Sequence, residues 1–226
     1  MIVLDNVSKV YQGQNVDNEV LRDVNLTIRR GDSIGVCGAN GAGKSTLMKL
    51  IAGVERPTTG KVSRSMTVSW PIGYASAFYP LLTGADNAKF VARIYGADER
   101  ELLAFVEDFA QLGSYMHEPI RTYSAGMAAR LAFGVSLAIK FDCYLVDEIT
   151  GAGDERFKVC AEEALRERRE NGTLVMVSHD TSTLFRYCTR GAVVYGGGVT
   201  LYDTIAEAAD VHHRLQSFGT RAGQAA

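Results

Sequence analysis

The rhythm of apolar and polar positions changes three times along the chain. Residues 2–10 alternate, as do Val24, Leu26 and Ile28, which predicts half-exposed antiparallel strands near the N-terminus. Arg30-Gly31-Asp32 supplies a turn, and the short apolar run Ser33–Cys37 reads as a fully buried strand. Glycines follow it, and then a helix over Lys44–Ala52. A further turn is expected at Thr59-Gly60, with strand character at Val62 and over residues 66–70.

The middle of the chain is helical in period. One helix is expected over residues 83–95. Asp98 caps the next, whose Leu102, Phe105, Val106 and Phe109 fall at i, i+3, i+4 and i+7, and Gly113 is placed to end it. Ser124 caps a third that runs to about Ile139. Residues 83–140 therefore read as a helical block inserted into an α/β chain. Strands then return at 143–146 and 174–177, separated by a charged amphipathic helix over 154–170 that Asn171-Gly172 closes. Gly196-Gly197-Gly198 breaks a late hairpin, a helix is expected around 205–215, and residues 221–226 read as a frayed tail. Short buried strands alternating with helices favour a mainly parallel sheet.

Composition narrows the classes. A chain of 226 residues with 46% apolar and 22% charged side chains makes one large domain, or a core with a small subdomain, and is not disordered. With 24 basic against 26 acidic residues, nucleic acid is an unfavoured partner. There is no apolar run long enough to cross a bilayer, and no signal peptide is visible at the start. Cys37, Cys143, Cys160 and Cys188 show no metal-ligand spacing and read as buried, reduced packing residues of a cytosolic protein. Glycine is the outlier, 23 against 4 prolines, which asks where the backbone must go that other residues cannot follow.

The chemistry concentrates after the first buried strand. Gly38-Ala39-Asn40-Gly41-Ala42-Gly43-Lys44-Ser45 fits G-x-x-x-x-G-K-[ST], with an apolar strand before it and a helix behind it. In such a loop the glycines let backbone N–H groups turn toward phosphate oxygens, and the helix N-terminus adds partial positive charge. Lys44 would reach the β- and γ-phosphates and Ser45 would ligate Mg²⁺. The competing reading, an ordinary Gly-rich turn, is disfavoured by the complete match in context. Tyr144-Leu145-Val146-Asp147-Glu148 places two acids at the end of a buried strand, on the sheet edge that also bears the Gly-rich loop. Asp147 would hold the metal and Glu148 would polarise the attacking water. His179 follows the strand at 174–177 and falls on the same edge, within reach of a γ-phosphate. Ser124-Ala125-Gly126-Met127 opens a helix and reads either as a plain N-cap or as a second anion site. His117, His212 and His213 have no such context and read as surface residues.

Taken together these motifs resemble the ATP-binding subunit of an ABC transporter over most of the chain, from residue 1 to about 215. The loop at 38–45 resembles Walker A and residues 144–148 resemble Walker B. Ser124, Ala125, Gly126 and Met127 stand where the family has its signature, 23 residues before Asp147. Gly151-Ala152-Gly153-Asp154 resembles the D-loop, His179 the switch histidine, and Tyr11 lies where members stack an aromatic ring on adenine. SWPIG at 69–73, FVARIYG at 90–96, TYSAG at 122–126 and YLVDEI at 144–149 are similar to the capsular polysaccharide exporter branch. Related branches export O-antigen or teichoic acid, some with an extra C-terminal carbohydrate-binding domain. With about ten residues after Leu215, no such domain is expected here.

The resemblance implies a P-loop NTPase (RecA-like) α/β core with an N-terminal antiparallel β subdomain and an inserted α-helical subdomain. Residues 1–82 and 141–217 would form the core with its β subdomain, 83–140 the helical subdomain, and 218–226 a tail. It implies ATP hydrolysis with Mg²⁺, held by Ser45 and Asp147, and catalysis by Glu148, His179 and Lys44. ATP would contact Tyr11, Gly38, Ala39, Asn40, Gly41, Ala42, Gly43, Lys44, Ser45 and Thr46. It also implies a head-to-tail homodimer, in which residues 124–127 and Asp154 act toward the other copy. An integral-membrane permease would be the partner, contacted through 74–82 and the helical block, at the cytoplasmic face of the bacterial inner membrane. Two departures stand out. The signature reads SAGM rather than SGGQ, and no glutamine occurs between Gln14 and Gln111, so the family's Q-loop glutamine has no counterpart. Residues 73–78 (GYASAF) occupy that place, with Ser76 the candidate stand-in. A soluble ABC-type ATPase acting on ribosomes or DNA is the competing reading, and the single cassette and slightly acidic balance weigh against it.

Overall fold

A computed structural model describes residues 1–13, 16–73, 78–147 and 155–222. Among these, nine strands, seven α-helices and two short 3-10 helices form two sheets and a helical layer. The alternating N-terminal segments are β1 (Ile2–Tyr11) and β2 (Asn18–Ile28), paired antiparallel. They form a three-stranded sheet with β4 (Thr59–Arg64), in the order β2-β1-β4. The turn expected at Thr59-Gly60 is instead the start of β4. Its register against β1 slips between Asp5 and Ser8, and Gly60 takes φ +80° opposite that irregularity. A Cβ on Gly60 would lie 2.2 Å from the Asn6 carbonyl oxygen, so a glycine here serves strand pairing rather than chain reversal.

The larger sheet runs β5-β6-β7-β3-β8-β9. β3 (Ser33–Cys37), β5 (Val68–Ile72), β6 (Cys143–Asp147), β7 (Thr173–Val177) and β8 (Arg190–Tyr195) are parallel, and β9 (Gly198–Tyr202) returns antiparallel through the glycine turn. Side chains alternate between two cores, as strands covered on both faces require. Ile34, Val36, Cys143, Leu145, Val175 and Val177 face the small sheet and α1 (Lys44–Ala52). Cys37, Tyr144, Val146, Leu174 and Met176 face the helices on the other side.

Those helices are α2 (Gly84–Tyr95), α3 (Glu99–Ala110), α4 (Ala125–Ala138), α5 (Glu155–Asn171), α6 (Thr181–Tyr187) and α7 (Ile205–Ala222). Thr83 and Asp98 cap α2 and α3 through bonds to Asp86 N and to Arg100 and Glu101 N. α3 ends earlier than Gly113 suggested, because Gln111 itself adopts the left-handed C-cap at φ 47°. α6 was not anticipated: seven residues carry too little periodicity, although the Asp180 carboxylate caps both Ser182 N and Thr183 N. α7 continues to Ala222, past the expected start of the tail at 218. Cys37, Cys143 and Cys188 are buried, but Cys160 is exposed on α5, contrary to its reading as a packing residue. The helical block is anchored to the sheet by aromatic contacts. Trp70 on β5 meets Tyr95 at 5.4 Å and Phe141 at 5.5 Å, and its indole N–H donates to the buried Ser136 hydroxyl at 2.8 Å.

An ion pair links the turn before β3 to the residue that precedes β6. Arg30 reaches Asp142 at 2.5 Å, and Asp142 also accepts from the Thr67 amide at 2.9 Å and hydroxyl at 3.1 Å. Arg30 and then these Thr67 bonds hold the Asp142 carboxyl down at about 2. A depressed folded-state pKa contributes stability that is complete above the unfolded value of 3.8 and lost as pH falls toward 2. Denaturation of an Asp142→Asn variant should therefore show a flatter loss of stability between about pH 4 and 2 than the parent. An unchanged acid limb would remove Asp142 from the acid response.

Candidate functional site

Strand order puts the chemistry on one edge. β7 lies between β3 and β6, and their register aligns Val36 with Val177 and Val177 with Asp147. The residues just past these positions, the Gly38 loop, His179 and Asp147 itself, therefore meet at the carboxyl end of the sheet. They border a cavity of about 430 Å³ lined by Asn40, Gly41, Gly43, Lys44, Ser45, Thr46, Asp147 and His179, with Tyr11, Asn18, Val20 and Val177 closing its side. Gly43 caps α1 at φ 107°, where a side chain is strained and its Cβ would approach Val20 Cγ1 to 2.9 Å. Lys44 is 8% exposed, and its ammonium bridges the loop by donating to the Gly38 carbonyl at 2.7 Å and the Ala39 carbonyl at 2.9 Å. α1 is held beneath it by Leu47, Met48, Leu50 and Ile51, all fully buried.

The donor set fits a hard divalent cation carried with a phosphate. The Ser45 hydroxyl and Asp147 carboxylate share the cavity, and an ion bridging phosphates needs only a few protein oxygens. Asp180 fixes the chain just beyond His179: its carboxylate accepts from the Ser182 hydroxyl at 2.6 Å and the Thr183 hydroxyl at 2.7 Å, which together with the backbone bonds hold its pKa at about 2. Ser124 caps α4 by accepting from Met127 N at 3.2 Å and is exposed. None of residues 124–127 is among those lining this cavity. Glu148, Asp154 and Ser76 lie outside the described residues.

A second cavity of about 660 Å³ adjoins the first across Asn40 and His179, walled by α6 and α7. His212 and His213 line it; His213 is exposed, as expected of a surface residue, and His212 is not. His212 is half-buried, and burial, Lys44 and then His213 push its pKa below the usual value. Its signal was present in the sequence: Ile205, Ala208, His212 and Leu215 fall on one helical stripe. Glu55, which bonds Tyr11, left no comparable local signal.

The comparisons with known proteins agree with this arrangement. The family model for the ABC transporter matches residues 21–151, more than half of the chain. The chain belongs to the ABC transporter family. It is 43% identical over 215 residues to the capsule polysaccharide export ATP-binding protein CtrD of Neisseria meningitidis, covering 95% of this chain and all of that one. It is 40% identical to the ATP-binding protein BexA of Haemophilus influenzae, covering 96% of this chain and all of BexA. The polysialic acid transport ATP-binding protein KpsT of Escherichia coli is 46% identical over 83% of this chain and 85% of its own. Among solved structures, the dimeric ATP-binding cassette MJ0796 with ADP and phosphate superposes with a TM-score of 0.78 at 23% identity, over 91% of this chain and 99% of that one. The ABC cassette fold is thus established, with its N-terminal antiparallel sheet and its helical subdomain. No described helix of this family member is long and apolar enough to cross a membrane.

Proposed function

We propose that the chain is the ATP-hydrolysing subunit of an exporter that moves capsular polysaccharide across the bacterial inner membrane, working as a head-to-tail homodimer beneath a permease. The observation that carries this is the 43% identity, across the whole of the relative, to a capsule polysaccharide export ATP-binding protein. O-antigen export proteins match at 36–38% and over less of the chain, which favours a capsular substrate over another lipid-linked glycan. Lys44 and the N–H groups of residues 38–46 hold the triphosphate, Tyr11 stacks on the base, and Ser45 and Asp147 hold Mg²⁺, which neutralises charge on the phosphates. Glu148 takes the proton from the attacking water, and His179 contacts the γ-phosphate. Ser124, Ala125, Gly126 and Met127 of one copy close over the ATP of the other, and Asp154 acts toward the other copy. The exposed apolar residues Tyr79 and Leu81 before the helical subdomain and Phe90 and Ile94 on it, each at least 58% exposed, support a docking face for the permease.

The test is complementation. The chain should restore surface capsule to an encapsulated strain lacking its own ATP-binding subunit, and its Lys44→Ala variant should not. Restoration of O-antigen export in place of capsule would move the substrate to the other branch. His179→Ala should cut turnover at least about tenfold while ATP affinity changes less than about threefold. A variant that loses mainly affinity would make His179 a binding or structural residue.

A further inference from the structure

Tyr11 ends β1 at the rim of the phosphate cavity, opposite Asn18, which lines the same cavity. Its ring is tethered. The phenol donates to Glu55 Oε2 at 2.6 Å and lies 3.4 Å from the Thr46 hydroxyl. Glu55 lies three residues past the end of α1, the helix that opens with Lys44, and its carboxylate also pairs with Lys49 on α1 at 3.2 Å and with Lys9 on β1 at 3.3 Å. Lys9 is held in turn by the Arg56 carbonyl at 3.0 Å and lies 4.9 Å from the centre of the Tyr11 ring. It is not among the residues lining the cavity. Burial raises the Glu55 carboxyl, but the Tyr11 hydroxyl, Lys49 and Lys9 outweigh it and hold the pKa below the usual value. A charged acceptor at 2.6 Å makes this one of the stronger hydrogen bonds around the site.

We propose that Glu55 is a positioning residue for the nucleotide base: through the Tyr11 hydroxyl it locks the base-stacking ring to α1, the helix that carries the phosphate-binding lysine. This rests on the reading of Tyr11 as the residue that stacks on adenine. Without the tether, the ring at the end of a strand keeps its rotamer freedom, and ATP binding must then order it. Phosphate recognition depends on residues 38–46, which the Tyr11 hydroxyl touches only through the Thr46 side chain at 3.4 Å, so it should change little.

Binding of ATP and of inorganic tripolyphosphate separates the two. Tyr11→Phe and Glu55→Ala should each weaken ATP about three- to tenfold, the net worth of one hydrogen bond, and leave tripolyphosphate within about twofold. The double variant should be no weaker than either single one, and Glu55→Gln, which still accepts from the hydroxyl, should recover most of the loss. Equal losses for ATP and tripolyphosphate, or additive losses in the double variant, would overturn the proposal. Tyr11→Phe carries the test if Glu55→Ala does not fold, because it removes only the hydroxyl. Tyr11→Ala distinguishes the underlying reading. If it leaves ATP affinity unchanged, Tyr11 does not stack on the base; if it weakens ATP while Tyr11→Phe and Glu55→Ala do not, stacking stands and the tether alone fails.

Discussion

Lys44→Ala is expected to lower ATP turnover at least about a hundredfold while the fold survives. The ammonium is the cation that the α1 N-terminus aims at the cavity, and a preorganised charge of this kind, acting on a phosphoryl group where water is scarce, accounts for about a hundred- to a thousandfold in rate. It also spans the Gly38 and Ala39 carbonyls, so its loss loosens the loop that must present N–H groups to the phosphates. The helix itself is secured independently by Leu47, Met48, Leu50 and Ile51. Lys44→Arg should fail as well, because a planar guanidinium cannot donate as a point charge within the 2.7–2.9 Å that the loop allows. Phosphate release measured beside a thermal melt checks both variants. Near-parental turnover by Lys44→Ala would remove residues 38–45 from the chemistry.

What the residues disclosed and what they hid divide along sequence distance. Ser33–Cys37 and Lys44–Ala52 fall where the pattern predicts, because an unbroken apolar run, a glycine loop and an apolar helical stripe are local features. The phosphate loop, Asp147 and His179 were readable for the same reason: each sits at the end of its own buried strand, and parallel strands share an edge. Gly60 was misread because the partner that demands a glycine, the Asn6 carbonyl, belongs to another strand 54 residues earlier in the chain. Gly134, unexplained by pattern, packs where a Cβ would come within 3.3 Å of Phe109, a contact between two helices. The bond from Tyr11 to Glu55 crosses 44 residues and has no periodic signature at either end. Gln111 takes the C-cap ahead of Gly113 although a left-handed residue other than glycine costs about 1–2 kcal/mol, and its N–H closes the helix on the Glu107 carbonyl at 3.1 Å.

Glu148→Gln should bind ATP normally and hydrolyse it about a hundred- to ten-thousandfold more slowly, so that a dimer accumulates with ATP trapped in it. The strand Cys143–Asp147 is buried up to its last residue, and Asp147 emerges on the cavity beside Ser45 and His179. Glu148 is the next residue in the chain, one residue beyond Asp147. The amide keeps the size of the carboxylate and loses its capacity to take a proton, so the variant isolates the base from any effect of shape. The expected dimer follows from the signature. Ser124 is exposed and none of residues 124–127 lines the chain's own phosphate cavity, the arrangement expected if a second copy closes over the ATP. Light scattering with and without ATP reads the association, and single-turnover phosphate release reads the chemistry. Slow hydrolysis without dimer would separate the base from the trans signature, and Ser124→Arg in the same background should then leave the mass unchanged. Brisk hydrolysis would move the base elsewhere on the edge. His179 would be the first candidate there, and a Glu148→Gln/His179→Ala double variant that loses no more than His179→Ala alone would identify it.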